Sequence, residues 1–248
     1  MTHINIHFAG TGDAFNTDGL ANQAIVIETE SQSLLVDAGP TALHQMMTMG
    51  LQVGKITHIF ISHFHGDHTA GLPFLMLTFQ RKIKPRHLPV IIGPIGIHRY
   101  CKQLFEACYA GSGLDNDICY HEFPSSYQKN IEIDRDISID IFPMKHSEES
   151  IAYRFYVYNT IIAVSGDTGF NDNLIRLVDG ADAAIIECSS VYPEVETHTS
   201  LQDVKRHIDR MNCTMIIPVH TTQSVLKEIY KWGHEKIHPV GDGETVRL

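Results

Sequence analysis

The chain has 248 residues, enough for one large α/β domain with a full-sized core, and an ordinary globular composition. Its 19 Lys and Arg against 29 Asp and Glu give a formal charge of −10, which argues against a protein that grips nucleic acid through a broad electropositive surface. The stretch Met1–Phe8 lacks the basic start and apolar core of a signal peptide, and no run approaches the ~20 apolar residues of a membrane span. The five cysteines are scattered without a CxxC pair, so a reduced, cytoplasmic setting is expected.

Alternation over His3–Phe8 predicts a first strand, and Gly10-Thr11-Gly12-Asp13-Ala14-Phe15 after it reads as a turn between strands, the alternative being a loop whose backbone approaches a ligand. Apolar runs at Ala24–Ile27 and Leu34–Val36 predict two more strands, the second ended by Asp37-Ala38-Gly39-Pro40, and Pro40 fits the first turn of a helix that ends at about Met49 before Gly50. The strand Thr57–Ile61 leads straight into Ser62-His63-Phe64-His65-Gly66-Asp67-His68. The segment Thr69–Phe79 is apolar nearly all round, which fits either a helix buried inside the domain or a subunit interface, the latter making a homodimer. A strand at Leu88–Ile92 and a helix opened by Gly93–Gly96 and running through Ala107 follow, with Cys101 and Cys108 on one packing face. From Ile118 to Phe142 the period is close to two, a meander turning near Asp134–Asp136. Strands at Ile151–Val157, Ile161–Val164, Ala183–Ile186 and Met215–Val219 then alternate with helices at Asn171–Val178, Leu201–Met211 and Gln223–Trp232, and the chain ends in Lys236–Leu248. Two facing sheets with helices outside satisfy this order, as a single domain 1–248 with pseudo-halves 1–125 and 126–248.

The stretch His63–His68 crowds three imidazoles and a carboxylate around a glycine. Such groups desolvate or repel one another unless a cation joins them, so the spacing HxHxDH points to metal. On an extended loop His63 and His65 face the same side and suit one ion, while Asp67 and His68 beyond Gly66 can reach a second. Further donors must arrive by fold, and His146, Asp167, His198 and His220 each follow a predicted strand end. One histidine added to each ion and a carboxylate between them complete a two-metal centre. It would hold a bridging hydroxide, because a metal-bound water has its pKa lowered to about 7, and clamp attacking and leaving oxygens.

HxHxDH, the distant His146, Ser165-Gly166-Asp167-Thr168 and Pro218-Val219-His220 together resemble the metallo-β-lactamase superfamily of hydrolases over essentially the whole chain. The resemblance implies an αββα sandwich of two mixed β-sheets with helices on the outer faces. It also implies His63, His65 and His146 on one ion, Asp67, His68 and His220 on the other, and Asp167 bridging. Pro143-Met144-Lys145-His146-Ser147 in place of a PGHT-like segment, Gly10-Thr11-Gly12-Asp13-Ala14, Gly71-Leu72-Pro73, and Glu187-Cys188-Ser189 followed by His198-Thr199-Ser200 resemble the ribonuclease Z and phosphodiesterase branch. There a glutamate and histidine at such positions form an acid/base pair, which makes Glu187 and His198, with Asp67, the catalytic candidates. An alkoxide leaving group needs a proton, and a histidine oriented by a carboxylate can supply it. The plainer alternative is that His198 caps the helix at Leu201; Lys145 and Arg154 read as ordinary strand-flanking charges.

Ribonuclease Z enzymes that process transfer RNA usually carry a long basic arm between the third metal histidine and the bridging aspartate. Two strands fill that interval here, and with the acidic balance this counts against transfer RNA. The expected function is a two-metal phosphodiesterase acting on a small or flexible phosphodiester, a cyclic nucleotide or an RNA end. Zinc is the expected metal, with Mn2+ or Fe2+ compatible with the same ligands. The rival readings are an ester, lactone or aryl-sulfate hydrolase on the same centre, a di-iron oxidoreductase, disfavoured by His65 where those proteins usually have glutamate, and a non-catalytic binding protein.

Overall fold

The structure, a computed structural model, describes residues 3–248; Met1 and Thr2, which open the stretch read above for a signal peptide, lie outside the described residues. In chain order come β1 (Asn5–Gly10), β2 (Ala24–Glu28), β3 (Ser33–Val36), α1 (Ala42–Thr48), β4 (Ile56–Phe60), α2 (Gly66–Thr69), α3 (Leu72–Leu77), β5 (Val90–Pro94), α4 (Ile97–Cys108) and β6 (Tyr120–Phe123). They are followed by β7 (Gln128–Asp134), β8 (Ile137–Pro143), β9 (Ile151–Val157), β10 (Thr160–Val164), α5 (Asp172–Val178), β11 (Ala183–Glu187), α6 (Leu201–His207), β12 (Met215–Val219), α7 (Gln223–Trp232) and β13 (Thr245–Arg247). One sheet has the order β13-β1-β2-β3-β4-β5-β6 and the other β12-β11-β10-β9-β8-β7.

The strands read as apolar runs because both faces are covered. Ile6, Phe8, Ile25, Ile27, Leu34 and Val36 point between the sheets and pack against Ile139, Ile141, Tyr153 and Phe155 of the second sheet. Their neighbours Ala9, Ala24, Val26 and Leu35 point outward against Met46, Leu75, Met76 and Phe105 of α1, α3 and α4. On the far side Ala163, Ala184, Ile186 and Ile216 pack with Leu174, Leu177, Val204 and Ile229 of α5, α6 and α7. The result is the expected αββα sandwich.

Several details differ from the sequence reading. The Ile118–Phe142 segment is not one meander: β6 pairs parallel with β5 in the first sheet, and the chain then crosses to pair β7 with β8 in the second. The last residues form β13 on the edge strand β1, so the C-terminal end of the chain returns to the first sheet. Gly93 and Pro94 belong to β5, which delays α4 to Ile97. Cys101 packs in the core while Cys108, on the last turn of α4, is exposed. The apolar Thr69–Phe79 segment is spent inside the chain: Leu72, Leu75, Met76 and Phe79 are fully buried, leaving Phe74, 46% exposed, as its large apolar residue facing outward. Among the described residues no helix is long and apolar enough to cross a membrane.

Strands β3 to β6 are parallel, as are β10 to β12. Loops at the carboxyl ends of parallel strands gather at one edge, the usual place for a site in such sheets. His63, Asp167 and His220 lie in such loops, after β4, β10 and β12.

Candidate metal centre

The loop after β4 is pinned across the sandwich before it delivers any ligand. Tyr153 Oη donates to the Ile61 carbonyl at 2.7 Å and Ile151 N to the Ser62 carbonyl at 3.0 Å. Phe64 stacks on Tyr100 with ring centroids 4.8 Å apart, and the Tyr100 hydroxyl meets Thr69 Oγ1 at 2.7 Å. The chain then turns into α2 at Gly66, which carries Asp67 and His68. Opposite, Gly166 adopts φ +59, and a Cβ there would lie 2.6 Å from the Ser62 Cβ. Only glycine fits that turn, which aims Asp167 at the histidines.

The structure brings all seven ligand candidates together. His63, His65, His146 and Asp167 offer one ligand atom each, all within 4.8 Å of one another, and Asp67, His68, Asp167 and His220 do the same, with Asp167 common to both groups. These are the two sets implied by resemblance, built from loops after β4, β8, β10 and β12.

Several polar atoms at the centre are left unsatisfied by their neighbours, although His220 Nε2 bonds to Asp67 Oδ2 at 3.3 Å. His68 Nε2 lies 3.1 Å from Asp67 Oδ2 and 3.2 Å from Asp167 Oδ1, yet neither approach has hydrogen-bond alignment, and this nitrogen is buried without a partner. His63 Nε2 and Asp167 Oδ1 are likewise buried and unpartnered. His146 Nε2 and His65 Nδ1 face each other at 3.0 Å, two ring nitrogens that share at most one proton between neutral rings. Buried donors and acceptors left in this state are costly, so lone pairs converging on two points fit cations. The donor set of imidazoles and carboxylates suits a divalent ion.

The other ring nitrogens are held, which fixes each imidazole's orientation. His63 Nδ1 meets Ser62 Oγ at 3.0 Å, and His146 Nδ1 meets the Thr197 carbonyl at 3.1 Å. His68 Nδ1 bonds to Asp37 Oδ2 at 2.8 Å. Asp37 is fully buried at the end of β3, with φ 57, and also accepts from Ser62 N, Ser62 Oγ and Gln23 Nε2. Sequence reasoning took Asp37 only as a strand terminator. An acidic residue placed directly after a continuous apolar strand, followed by Ala-Gly-Pro, was the available signal.

The electrostatics follow from crowding. Burial, then the charge of His68, pushes the His63 imidazole well below its ordinary pKa, and burial lowers His146. Burial opposes ionisation of Asp167, but the charges of His220 and His68 hold it well below the carboxylate range. Asp67 behaves alike: burial works against its charge, and the His220 and His68 imidazoles outweigh it. His68 and His220 move the other way; burial disfavours their charge, but Asp167 with Asp37 raises His68 well above its usual value, and Asp167 with Asp67 raises His220 to about 9.

Beside this cluster Glu187, fully buried at the end of β11, faces His198. Glu187 Oε1 bonds to His198 Nδ1, while Oε2 accepts from Thr168 N at 2.6 Å and Thr199 N at 3.3 Å. With both oxygens committed, Glu187 is an orienting group and a poor ligand, although it also lies near Asp167 and His220. Burial and the charge of Asp167 raise its pKa, and the hydrogen bond that His198 donates to Glu187 raises that of His198. His198 does not cap α6: Ser200 does, in a reciprocal capping box with Asp203. Arg154 donates to the carbonyls of Leu177 and Asp179 at the end of α5, and Lys145 pairs loosely with Glu196 at 3.8 Å, so both keep their structural reading.

His65, Asp67, Asp167, His198 and His220 open onto a cavity of about 540 Å3. The glycine-rich turn after β1 joins its wall through Asp13, Ala14 and Phe15, where the sequence favours a plain turn over a loop that approaches a ligand.

The fold and the converging histidine and aspartate cluster define a metal-dependent hydrolase of the metallo-β-lactamase superfamily, ribonuclease Z-like in type. The family described as Anti-Pycsar protein Apyc1 matches residues 4–236, and the chain belongs to that family. It is also similar to the ribonuclease Z of Staphylococcus carnosus (strain TM300), 26% identical over 270 residues, 88% of each chain. The ribonuclease Z of Pyrococcus abyssi (strain GE5 / Orsay) is 32% identical over 154 residues, 61% of this chain and 48% of the relative, so that match takes in about half of the archaeal protein. The crystal structure of human tRNase Z, short form (ELAC1), superposes with a TM-score of 0.79 at 21% identity, covering 98% of both chains, which shows the shared fold.

Proposed function

We propose that the protein is a two-metal phosphodiesterase, with zinc in both positions, that cleaves a small phosphodiester of cyclic-nucleotide size. The observation that carries this reading is His198, held from behind by the buried Glu187, opening onto the same cavity as the ligand cluster. Expulsion of an alkoxide calls for a proton donor in that place, whereas the phenoxide of an aryl sulfate does not, and the ribonuclease Z relatives favour phosphorus over an ester or lactone carbonyl.

In this reading His63, His65 and His146 hold one ion, Asp67, His68 and His220 the other, and Asp167 lies between them. Divalent cations bound there supply Lewis acidity toward phosphate oxygens and a nucleophile from water near neutral pH. Asp37, Ser62 and the Thr197 carbonyl keep the ring nitrogens aimed inward. Glu187 fixes the His198 ring through Nδ1, leaving Nε2 as the atom that can give a proton to the leaving oxygen. A His198 pKa raised by that carboxylate keeps the acid form populated near neutrality.

The cavity volume falls within the range of ~300–1,000 Å3 typical of small-molecule pockets. With the net charge of −10 and no inserted arm between β8 and β10, this favours a small substrate over transfer RNA. The name ribonuclease Z carried by the relatives favours a second substrate, an RNA 3′ end. A panel of bis(4-nitrophenyl) phosphate, cyclic nucleotides, precursor transfer RNA, a lactone and an aryl sulfate, run on metal-analysed protein, tests the reading. Cyclic nucleotides are expected to be cleaved; turnover of the lactone or sulfate alone overturns it. The homodimer is left with Phe74 as the large exposed apolar residue of the Thr69–Phe79 segment, and light scattering tests it.

A further inference from the structure

Phe15 is 87% exposed and stands at the mouth of the cavity that holds the ligand cluster. Single exposed apolar residues are common on protein surfaces, but this one sits on a loop built to hold it still. Asp13 Oδ1 accepts from Phe15 N at 3.1 Å and Thr17 N at 2.9 Å, and its Oδ2 accepts from Thr17 Oγ1 at 2.6 Å. Asn16 Nδ2 donates to the Leu20 carbonyl at 2.9 Å, and Gln223 N, at the start of α7, donates to Asp18 Oδ2 at 2.9 Å. Asn16 and Asp18 both adopt the left-handed region, at φ 52 and 59, which non-glycine residues take at a cost. A fixed, partly strained backbone thus presents an uncovered phenyl ring to a cavity whose floor is polar.

The loop between β11 and α6 brings Val191 and Val195 to the same cavity, Val195 being 54% exposed. That loop also carries His198, the proposed proton donor. An apolar rim above a floor of metal-ligand candidates, which bound cations would make positive, fits a ligand with an anionic end and a flat ring at the other. We infer that Phe15 is the stacking platform for the nucleobase of the substrate, with Val191 and Val195 completing the apolar rim around it. This rests on the phosphodiesterase reading and adds to it that affinity comes from the base as well as from the phosphate. Stacking tolerates any base because every base has a π-face, so Phe15 selects nucleosides over base-free diesters without choosing among bases.

The test is calorimetric titration of the metal-loaded protein with slowly hydrolysed 3′,5′-cyclic phosphorothioates of adenosine and uridine, and with ribose 3′,5′-cyclic phosphate that lacks a base. Base stacking lost by alanine substitution corresponds to about a 5- to 150-fold change in Kd. Phe15→Ala is expected to weaken both nucleotides by that factor, Phe15→Trp to restore them and Phe15→Leu not to, and base-free ribose phosphate to bind wild type as weakly as the nucleotides bind Phe15→Ala. KM is expected to rise with Kd while kcat moves little. A Kd within twofold of wild type in Phe15→Ala, equal rescue by Leu and Trp, or base-free phosphate binding as tightly as the nucleotides overturns the inference. Cleavage of bis(4-nitrophenyl) phosphate by the same wild-type preparation reports separately on the phosphodiesterase reading, so the two failures are distinguishable.

Discussion

Glu187→Gln separates the proton-donor chemistry from the metal chemistry. The glutamine is nearly the same shape, and its carbonyl oxygen can take over from Oε2 in accepting from Thr168 N and Thr199 N. Its amide then faces His198 Nδ1, where Oε1 sat. Nδ1 must now accept, the ring becomes neutral with its proton on Nε2, and the charge that raised the His198 pKa is gone. A neutral imidazole is a far weaker acid than imidazolium, so most of the factor of roughly 10²–10⁴ that general-acid catalysis contributes is lost. The loss is expected to depend on the leaving group. With wild-type metal content, kcat/KM for an alkyl phosphodiester should fall by about two to four orders of magnitude, and for bis(4-nitrophenyl) phosphate by less than about tenfold. In wild type the alkyl-ester rate should decline as pH rises through the His198 pKa, which lies above its ordinary value, since the protonated form is the reactive one. Glu187→Gln should move that decline to lower pH. Equal losses for the two leaving groups, or an unshifted profile, refute a Glu187-oriented acid.

Asp167→Ala removes the carboxylate common to both ligand groups, and metal analysis should find fewer than two ions per chain together with loss of activity; two retained ions would overturn the proposal that it bridges them. Asp37→Asn turns one of the two oxygens that accept from His68 Nδ1, Ser62 and Gln23 into a donor and removes the charge behind His68 Nδ1, and competition with a chelator should show about a 10- to 100-fold loss of metal affinity. His58 lies outside the site, and burial lowers its pKa in the folded state. Because the unfolded chain binds the proton more readily, stability should fall as pH drops below about 6.5, and His58→Gln should flatten that part of a urea-midpoint profile of the metal-loaded protein. An unchanged slope in the variant would mean that other groups dominate the window.

Much of the fold was legible because buried strands announce themselves. Met215–Val219 and Ile151–Val157 were read with the bounds the structure has, since burial on both faces leaves an uninterrupted apolar signature. The misread elements are those without that signature. β6 is half exposed over four residues, and β13 carries only Val246 between two exposed neighbours, so neither shows an apolar run. Sheet membership is also a long-range property: nothing local tells β6 from β7 as partners of different sheets. At the site, His63, His65, Asp67 and His68 are readable because six positions of chain hold four ligand side chains, and local spacing is a statement about distance.

The remaining donors could be nominated from strand ends, while their grouping came from resemblance. Whether His146 meets His65 or Asp67 depends on which strand ends the two sheets bring to one edge. Asp37 and Phe15 mark the limit of that reading. Asp37 looked like a strand terminator because its partner His68 arrives from α2, 31 residues on. Phe15 looked like part of a turn because its cavity exists only once β1, β4, β10, β11 and β12 have converged. The chain by itself determined the chemistry it could perform, since residue types and short spacings are written locally. Tertiary structure alone decided which carboxylate orients which imidazole and which exposed ring faces the substrate, since both are distances between segments remote in sequence.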